Sequence, residues 1–240
     1  NDKNQQINDL KKQINQLNNE QTKQINELKN EISHLQDEIN LFKSEQEKQK
    51  NENEQKQKEE ETRNIGDPIL YKNGSGNEFD GIISYLGNGN PEKALGKEIR
   101  ITSSSSNSED ELPTNAILYD TTDHFASQNK VNSWWCIEFI NHRVIPKNYT
   151  IKSNDCKPKY PHPKSWVLEG SVDNVNWEII DEHRDCNYLN GKSLVHTFDV
   201  KNESNRDYKF LRIRQTGQDF HGAYHLCFQC IEFFGFLSLH

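Results

Sequence analysis

The sequence predicts an all-β sandwich carried behind a long N-terminal helix, and three observations predict it. All 12 glycines, 7 prolines, 4 tryptophans, 8 tyrosines and 5 cysteines lie after residue 65. A segment without glycine or proline can run as one uninterrupted helix, whereas the segment holding the aromatic mass and the turn formers must supply the core. Before residue 65 the apolar residues recur at a heptad spacing, and after it short strand-like runs alternate with turn signals.

The helix comes first. Ile7, Leu10, Ile14 and Leu17 are spaced 3-4-3, and Ile25, Leu28, Ile32, Leu35, Ile39 and Phe42 repeat the pattern. Isoleucine at a and leucine at d favour a parallel two-stranded coil, so residues 1–42 are expected to pair with a second copy of the chain. The step from Ile14 to Ile25 is a heptad plus four, a stutter that locally unwinds the supercoil, and the polar Gln21 falls in that layer. Residues 43–64 contain no apolar side chain, so no seam continues there. Residues 43–65 therefore read as a charged polar spacer, either solvated helix or semi-flexible chain.

The remaining residues, 66–240, are enough for one domain with a sizeable core. Turn signals stand at 73–77, 87–91, 103–106, 157–163 and 189–192. Between them Glu98–Thr102, Ser133–Ile140, Tyr149–Ser153, Ser165–Ser171, Trp177–Asp181, His196–Val200, Phe210–Gln215 and Gln229–Phe236 read as strands, and Asp80–Leu86 as a helical turn. Eight short strands with such turns indicate a sandwich or barrel.

Charge narrows the partners. The first 65 residues carry 11 basic and 14 acidic side chains and the rest 18 and 23, so both parts are net negative. Neither has the basic excess that a phosphate backbone or an anionic lipid surface requires, which disfavours nucleic acid and membrane. Five cysteines, an odd number, leave at least one unpaired and favour a reducing compartment, with a cytoplasmic location expected and an extracellular one as the alternative. Sequons at Asn73, Asn148 and Asn202 weigh the other way, but such triplets arise readily by chance in a chain rich in Asn, Ser and Thr.

The most specific stretch is SWVLEGSVDNVNWEII, residues 165–180. Trp166, Leu168 and Gly170 alternate with Val167, Glu169 and Ser171 as in a strand with one buried face, and Ser171, Asp173 and Asn174 supply turn chemistry before Trp177 restarts a strand. A tryptophan at each end of this hairpin calls for an anchor in the core. The pattern W-x-L-E-G-S-x-D-x-x-x-W resembles the signature hairpin of the factor V/VIII type C, or discoidin-like, domain, which has a galactose-binding-like jelly-roll fold. NSWWCIEF at 132–139 is similar to that family's early core strand, HRVIPKNYTIKS at 142–153 to the following pair of strands, and YKFLRIRQTG at 208–217 and CIEFFGFL at 230–237 to its last two strands. The likeness spans about residues 79–237 and is closest to the intracellular branch found beside BTB-type and other ubiquitin-ligase modules.

Two departures matter. Secreted members close the domain with a disulfide between first and last strands, but no cysteine near residues 66–80 could partner Cys230. Secreted lipid-binding members project apolar loop residues, whereas the loops here are polar, so membrane insertion is not implied.

His221, His225, Cys227 and Cys230 imitate zinc-ligand spacing, but positions three apart on an extended strand point to opposite faces, and the stretch reads as ordinary packing without metal. No nucleophile elbow, phosphate loop or metalloprotease helix is present, so neither an enzyme nor a cofactor is expected. The resemblance implies ligand binding by loops clustered at one end of the barrel, here Asp120–Gln128, Asn154–Pro163 and Phe220–His225. Asp120, Asp123 and His124 could hydrogen-bond a hydroxyl-rich or peptide ligand, and Tyr160, His162, Phe220, His221 and Tyr224 could offer stacking faces. Arg212 and Arg214 alternate with Leu211 and Ile213; Arg214 could reach the mouth as a carboxylate clamp, or the arginines could pair with a residue such as Glu232. The ordinary alternative for each polar residue is a solvated loop. The expected function is a non-enzymatic adaptor or scaffold, a coiled-coil dimer presenting heads that bind protein. The alternatives are an extracellular lectin-like glycan-binding or adhesion protein, and the substrate-binding arm of a ubiquitin-ligase adaptor with a BTB-like module upstream.

Overall fold

The computed structural model describes residues 2–63, 66–201 and 205–239, and side chains within the long helix from residue 7 to residue 50, Asp9 excepted. The chain divides into two compact units, residues 1–62 and 63–240. The first is a single helix, α1 (Asp2–Arg63), about 93 Å long at ~1.5 Å per residue. It continues through the charged stretch after Phe42, so the backbone of the expected spacer is helical as far as Arg63. Residues 64 and 65 of that spacer lie outside the described residues, as does the sequon at Asn202. Ile7, Leu10, Ile14, Leu17, Ile25, Leu28, Ile32, Leu35 and Ile39 are all at least half exposed along α1. Among the described residues no helix is long and apolar enough to cross a membrane.

The second unit is a β-sandwich. Its strands are β1 (Asp67–Ile69), β2 (Ile99–Ser103), β3 (Phe125–Ala126), β4 (Trp134–Phe139), β5 (His142–Lys152), β6 (Trp166–Ser171), β7 (Glu178–His183), β8 (Val195–Asp199), β9 (Phe210–Gln215), β10 (Cys227–Phe228) and β11 (Cys230–Leu239). A short helix, α2 (Ile82–Leu86), follows β1. One sheet has the order β2-β4-β9-β6-β7, the other β1-β11-β5-β8, and β3 pairs with β10 in a two-stranded ribbon. Every pairing between these strands is antiparallel. The period-2 alternation read from the sequence sends Trp135, Ile137 and Phe139 of β4, Leu211 and Ile213 of β9, and Tyr149 and Ile151 of β5 into the space between the sheets, where all are fully buried.

Three details depart from the sequence reading. The stretch 142–153 is one long strand rather than two. It passes Pro146 by a bulge in its pairing with β11, where the register shifts between Phe234 and Gly235. Gly235 sits at φ +154°, and a Cβ there would stand 2.0 Å from the Ile145 carbonyl oxygen, so only glycine fits. Second, β6 is buried on both faces. Its inner face includes Gly170, where a Cβ would lie 2.5 Å from the Tyr208 ring; its outer face is covered by arginines from β9. Third, Trp166 is in the core, but Trp177 lies half-buried on the outer face, 3.8 Å below the Arg212 guanidinium. A cation–π contact anchors this second tryptophan.

The outer face of the four-stranded sheet is covered by the segment that contains α2. The buried carboxylate of Glu232, on β11, fastens it by accepting the backbone N–H groups of Ile83 (2.9 Å) and Ser84 (3.0 Å) and the Tyr119 hydroxyl (3.0 Å). Burial raises the Glu232 pKa from 4.5 to about 7, even though the bonds from Ile83, Ser84, Phe233 and Tyr119 favour the charged form. Because the folded-state pKa lies above the unfolded one, the resulting stabilisation is fully present below pH 4.5 and is lost as pH rises through 7. The urea midpoint is therefore expected to fall between pH 4.5 and 7, by an amount equivalent to roughly 3 kcal/mol at most. Glu232→Gln should lack this fall, so that the stability difference between wild type and variant shrinks by up to that amount between pH 4.5 and 7, and a variant that keeps the wild-type slope would assign it to another group.

Candidate functional site

Strand register places five loops at one end of the sandwich. Trp134 pairs with Arg214, Trp166 with Gln215 and with His183, so the rim of the five-stranded sheet runs through these residues. In the other sheet Lys152 pairs with both Val195 and Cys230 at the same end. The loops 104–124, 127–133, 153–165, 184–194 and 216–226 leave from this rim.

Loop 153–165 is held from within. The Ser153 hydroxyl donates to the Gly191 carbonyl (2.5 Å) and accepts the Leu194 N–H (2.8 Å), tying the loop to 184–194. The Asn154 amide donates to the Cys227 sulfur (3.0 Å), and the Lys159 N–H donates to Asn190 (2.9 Å). His162 is fully buried, with Nε2 3.1 Å from the Lys157 carbonyl. Burial lowers its pKa, which favours the neutral ring. His162 therefore braces the loop and offers no stacking face, a correction to the expectation from sequence. Tyr160, two residues earlier, is exposed.

Loop 216–226 is built on a residue that the sequence reading missed. The buried carboxylate of Asp219 accepts the N–H groups of His221 (2.8 Å), Ala223 (3.0 Å) and His225 (3.3 Å), and pairs with the His225 ring at 3.2 Å. Its signal was an Asp three residues before a glycine, the pattern of a side chain closing its own turn. The loop presents His221 opposite Tyr160, with ring centroids 6.3 Å apart. Tyr224 donates its N–H to Asn129 (2.8 Å) in loop 127–133, and Arg214 donates to Asn132 (3.3 Å) in the same loop. Phe220 lies beneath the Lys164 ammonium, 5.8 Å from its ring centre.

Tyr160 and His221 are thus brought together, with Tyr224 and Arg214 joined to the same end through loop 127–133. Phe220 joins the same two loops through Lys164, whereas Asp120, Asp123 and His124 are not part of this arrangement. Asp120 lines a separate hollow of ≈ 370 Å³ with Asp80, Glu92, Tyr119 and Thr121. Asp123 is exposed, its N–H bonded to the Thr121 hydroxyl (3.2 Å). His124 Nε2 is 3.1 Å from Glu111. Burial acts to raise the Glu111 pKa, but hydrogen bonds from Asn107 and Ser108 and the nearby His124 leave it lowered.

Arg214 is not a free clamp. Nε and Nη2 both reach the Glu169 carboxylate, which Arg212 also engages at 2.7 Å. Glu232, named from sequence as a partner for these arginines, lies in the other sheet and serves α2 instead. Among the described residues no group of three or more His, Cys, Asp or Glu side chains could hold a metal ion. Of the residues with zinc-like spacing, the His225 ring pairs with Asp219, the His221 ring faces Tyr160, the Cys227 sulfur accepts from Asn154 and Cys230 faces the Leu118 carbonyl.

Several solved structures are similar to this chain. CpGH89CBM32-5 from Clostridium perfringens, in complex with GalNAc-β-1,3-galactose, is 12% identical with a TM-score of 0.47, over 57% of this chain and 95% of that one. The family 32 CBM of NanJ from C. perfringens, in complex with galactose, is 10% identical with a TM-score of 0.46, over 58% and 93%. An F-lectin from striped bass (Morone saxatilis) serum is 14% identical with a TM-score of 0.45, over 61% and 49%. No family model and no curated protein matches the chain. The sandwich is defined by its own strand order and register, independently of these likenesses.

Asp219→Ala would leave the N–H groups of His221, Ala223 and His225 without their acceptor, at a cost of about 1–3 kcal/mol. Hydrogen exchange should then accelerate at His221 and Ala223 while the β4 and β9 amides stay protected. Unchanged exchange in the loop would show that Asp219 does not hold it.

Proposed function

We propose that the chain is a non-enzymatic recognition protein whose head, a discoidin-like jelly roll of the galactose-binding-like kind, binds a hydroxyl-rich glycan. The observation that carries this reading is the exposed Tyr160 ring facing His221 across two loops whose backbones are held by buried side chains. A sugar ring offers an apolar C–H face to such rings and a circle of hydroxyls to polar groups around them. Asn129 and Asn132 lie within reach of the same end. A protein hot spot would favour a central, desolvated pocket ringed by apolar contacts; this surface is open and polar at its rim. Preorganisation of the loops limits the entropy lost on binding.

In this proposal the seam from Ile7 to Ile39 pairs with a second copy as a parallel coiled coil, and two heads raise apparent affinity by up to ~10²–10⁴-fold on a repetitive target. A second reading, an adaptor binding protein in the cytoplasm, is favoured by one observation. All five cysteines are free thiols, which suits a reducing compartment.

A glycan array probed with the full chain tests both parts. Tyr160→Ala with His221→Ala should lower the signal of the best glycan at least tenfold, equivalent to about 1.4 kcal/mol. Ile25→Asp with Ile32→Asp, which breaks the seam, should lower the signal on dense spots and leave solution affinity for a single glycan unchanged. No glycan bound by the wild-type chain, or equal binding by the Tyr160/His221 variant, would overturn the glycan reading and leave the adaptor reading standing.

A further inference from the structure

Among the described residues the four-stranded sheet ends at β8, which pairs on one side only, with β5. Two bonds flanking the ladder fix which way the β8 backbone points: the Val200 N–H donates to the Lys147 carbonyl, and the Ser153 N–H donates to the Leu194 carbonyl. In an antiparallel ladder bonded and non-bonded pairs alternate. His196 and Phe198 therefore direct their N–H and C=O groups at β5, whereas Val195, Thr197 and Asp199 direct theirs outward, at the open edge. Such a row of unpaired donors and acceptors is a template for another strand.

Beside this edge lies a cleft of ≈ 640 Å³, where the segment that covers the sheet stops short of β8. Tyr71, Asn73, Glu78 and Phe79 line it together with Val195, Thr197 and Asp199 of β8, and Asn148 and His196 complete the described lining. Among the described residues that line it, Glu78 and Asp199 are carboxylates and none is a lysine or arginine. Among the described residues Asp199 accepts a hydrogen bond from Asn148 (2.7 Å). Among the described residues the Glu78 carboxylate has no hydrogen-bond or ion-pair partner. Exposed edges are commonly protected by inward charges, proline or a covering loop; here the cleft keeps the edge approachable.

We infer that this edge and cleft form a docking surface for an extended basic peptide segment of another protein, added to the sheet as a strand next to β8. Backbone bonds to Val195, Thr197 and Asp199 supply sequence-independent affinity. Alternate side chains of the added strand enter the cleft, where Glu78 and Asp199 select lysine or arginine and the Tyr71 and Phe79 rings contact the aliphatic stem. This surface lies on the side of the sandwich and does not use Tyr160 or His221, so it stands or falls separately from the glycan platform.

The test is fluorescence anisotropy at ~150 mM salt with the full chain and a labelled octapeptide alternating lysine and valine. A second octapeptide has the same sequence and charge but carries N-methyl groups on alternate residues, which removes strand donors. The plain peptide should bind, with the N-methylated peptide at least tenfold weaker. Glu78→Gln with Asp199→Asn, its fold checked by circular dichroism, should also be at least tenfold weaker, and Tyr160→Ala should match wild type. Failure of the plain peptide to bind, or equal binding of both peptides to the wild-type chain, would overturn the proposal. The peptide pair is measured on the wild-type chain, so the comparison is decisive even if the double variant does not fold.

Discussion

A small polar knot between the two sheets governs how this head is put together. Tyr149, on β5, is fully buried, and its hydroxyl donates to Asp181 on β7 (2.9 Å) while accepting the indole N–H of Trp166 on β6 (2.9 Å). Asp181 is engaged a second time by His183 Nε2 at 2.7 Å. These groups link one sheet to the other in a space otherwise filled by apolar side chains, and the low dielectric makes each bond costly to break. Burial, and then the Asp181 carboxylate, raise the Tyr149 pKa well above its ordinary value, so the hydroxyl stays a donor. Aromatic rings close around the knot: Phe198 lies 5.3 Å from both Tyr149 and Trp166, and His196 stacks on Tyr188 at 4.0 Å.

The alignment of the sheets decides where the loops stand. Trp166 sits at the rim of its sheet, and Ser153 follows the end of β5, so the knot sets the spacing between loop 153–165 and the strands that carry 184–194 and 216–226. The Ser153 and Asp219 bonds then settle each loop locally. On the far face Glu232 does similar work for the segment around α2. In each case a buried acceptor gathers backbone donors that would otherwise be stranded, and apolar packing excludes water around it.

Much of this was legible because period and turn chemistry are local. The alternation in β4, β9 and β6 and the serine–aspartate turn after β6 marked individual strands that the fold gathers into the five-stranded sheet, and the glycine-free heptads marked the helix. What was not legible was choice among partners. Arg212 and Arg214 required a carboxylate, but whether Glu169 or Glu232 supplied it depended on which strands are neighbours, a non-local fact. His162 and Tyr160 look alike in a polar loop; their burial depends on how the loop folds back on Lys157. Trp177 was read as a core residue because an indole is large, yet the guanidinium above it serves as well as a core. The open edge of β8 was invisible because it is defined by which strand is missing beside it.

The knot is tested most directly by a double-mutant cycle on Tyr149→Phe and Asp181→Asn, with stability read from urea unfolding. Each single change should destabilise by about 1–3 kcal/mol, since each leaves a buried polar group short of a partner. The double variant should lose less than the sum, with a coupling of about 1 kcal/mol or more between the two residues. Losses that add to within ~0.5 kcal/mol would contradict the account, because the two side chains would then act independently and could not be what aligns the sheets.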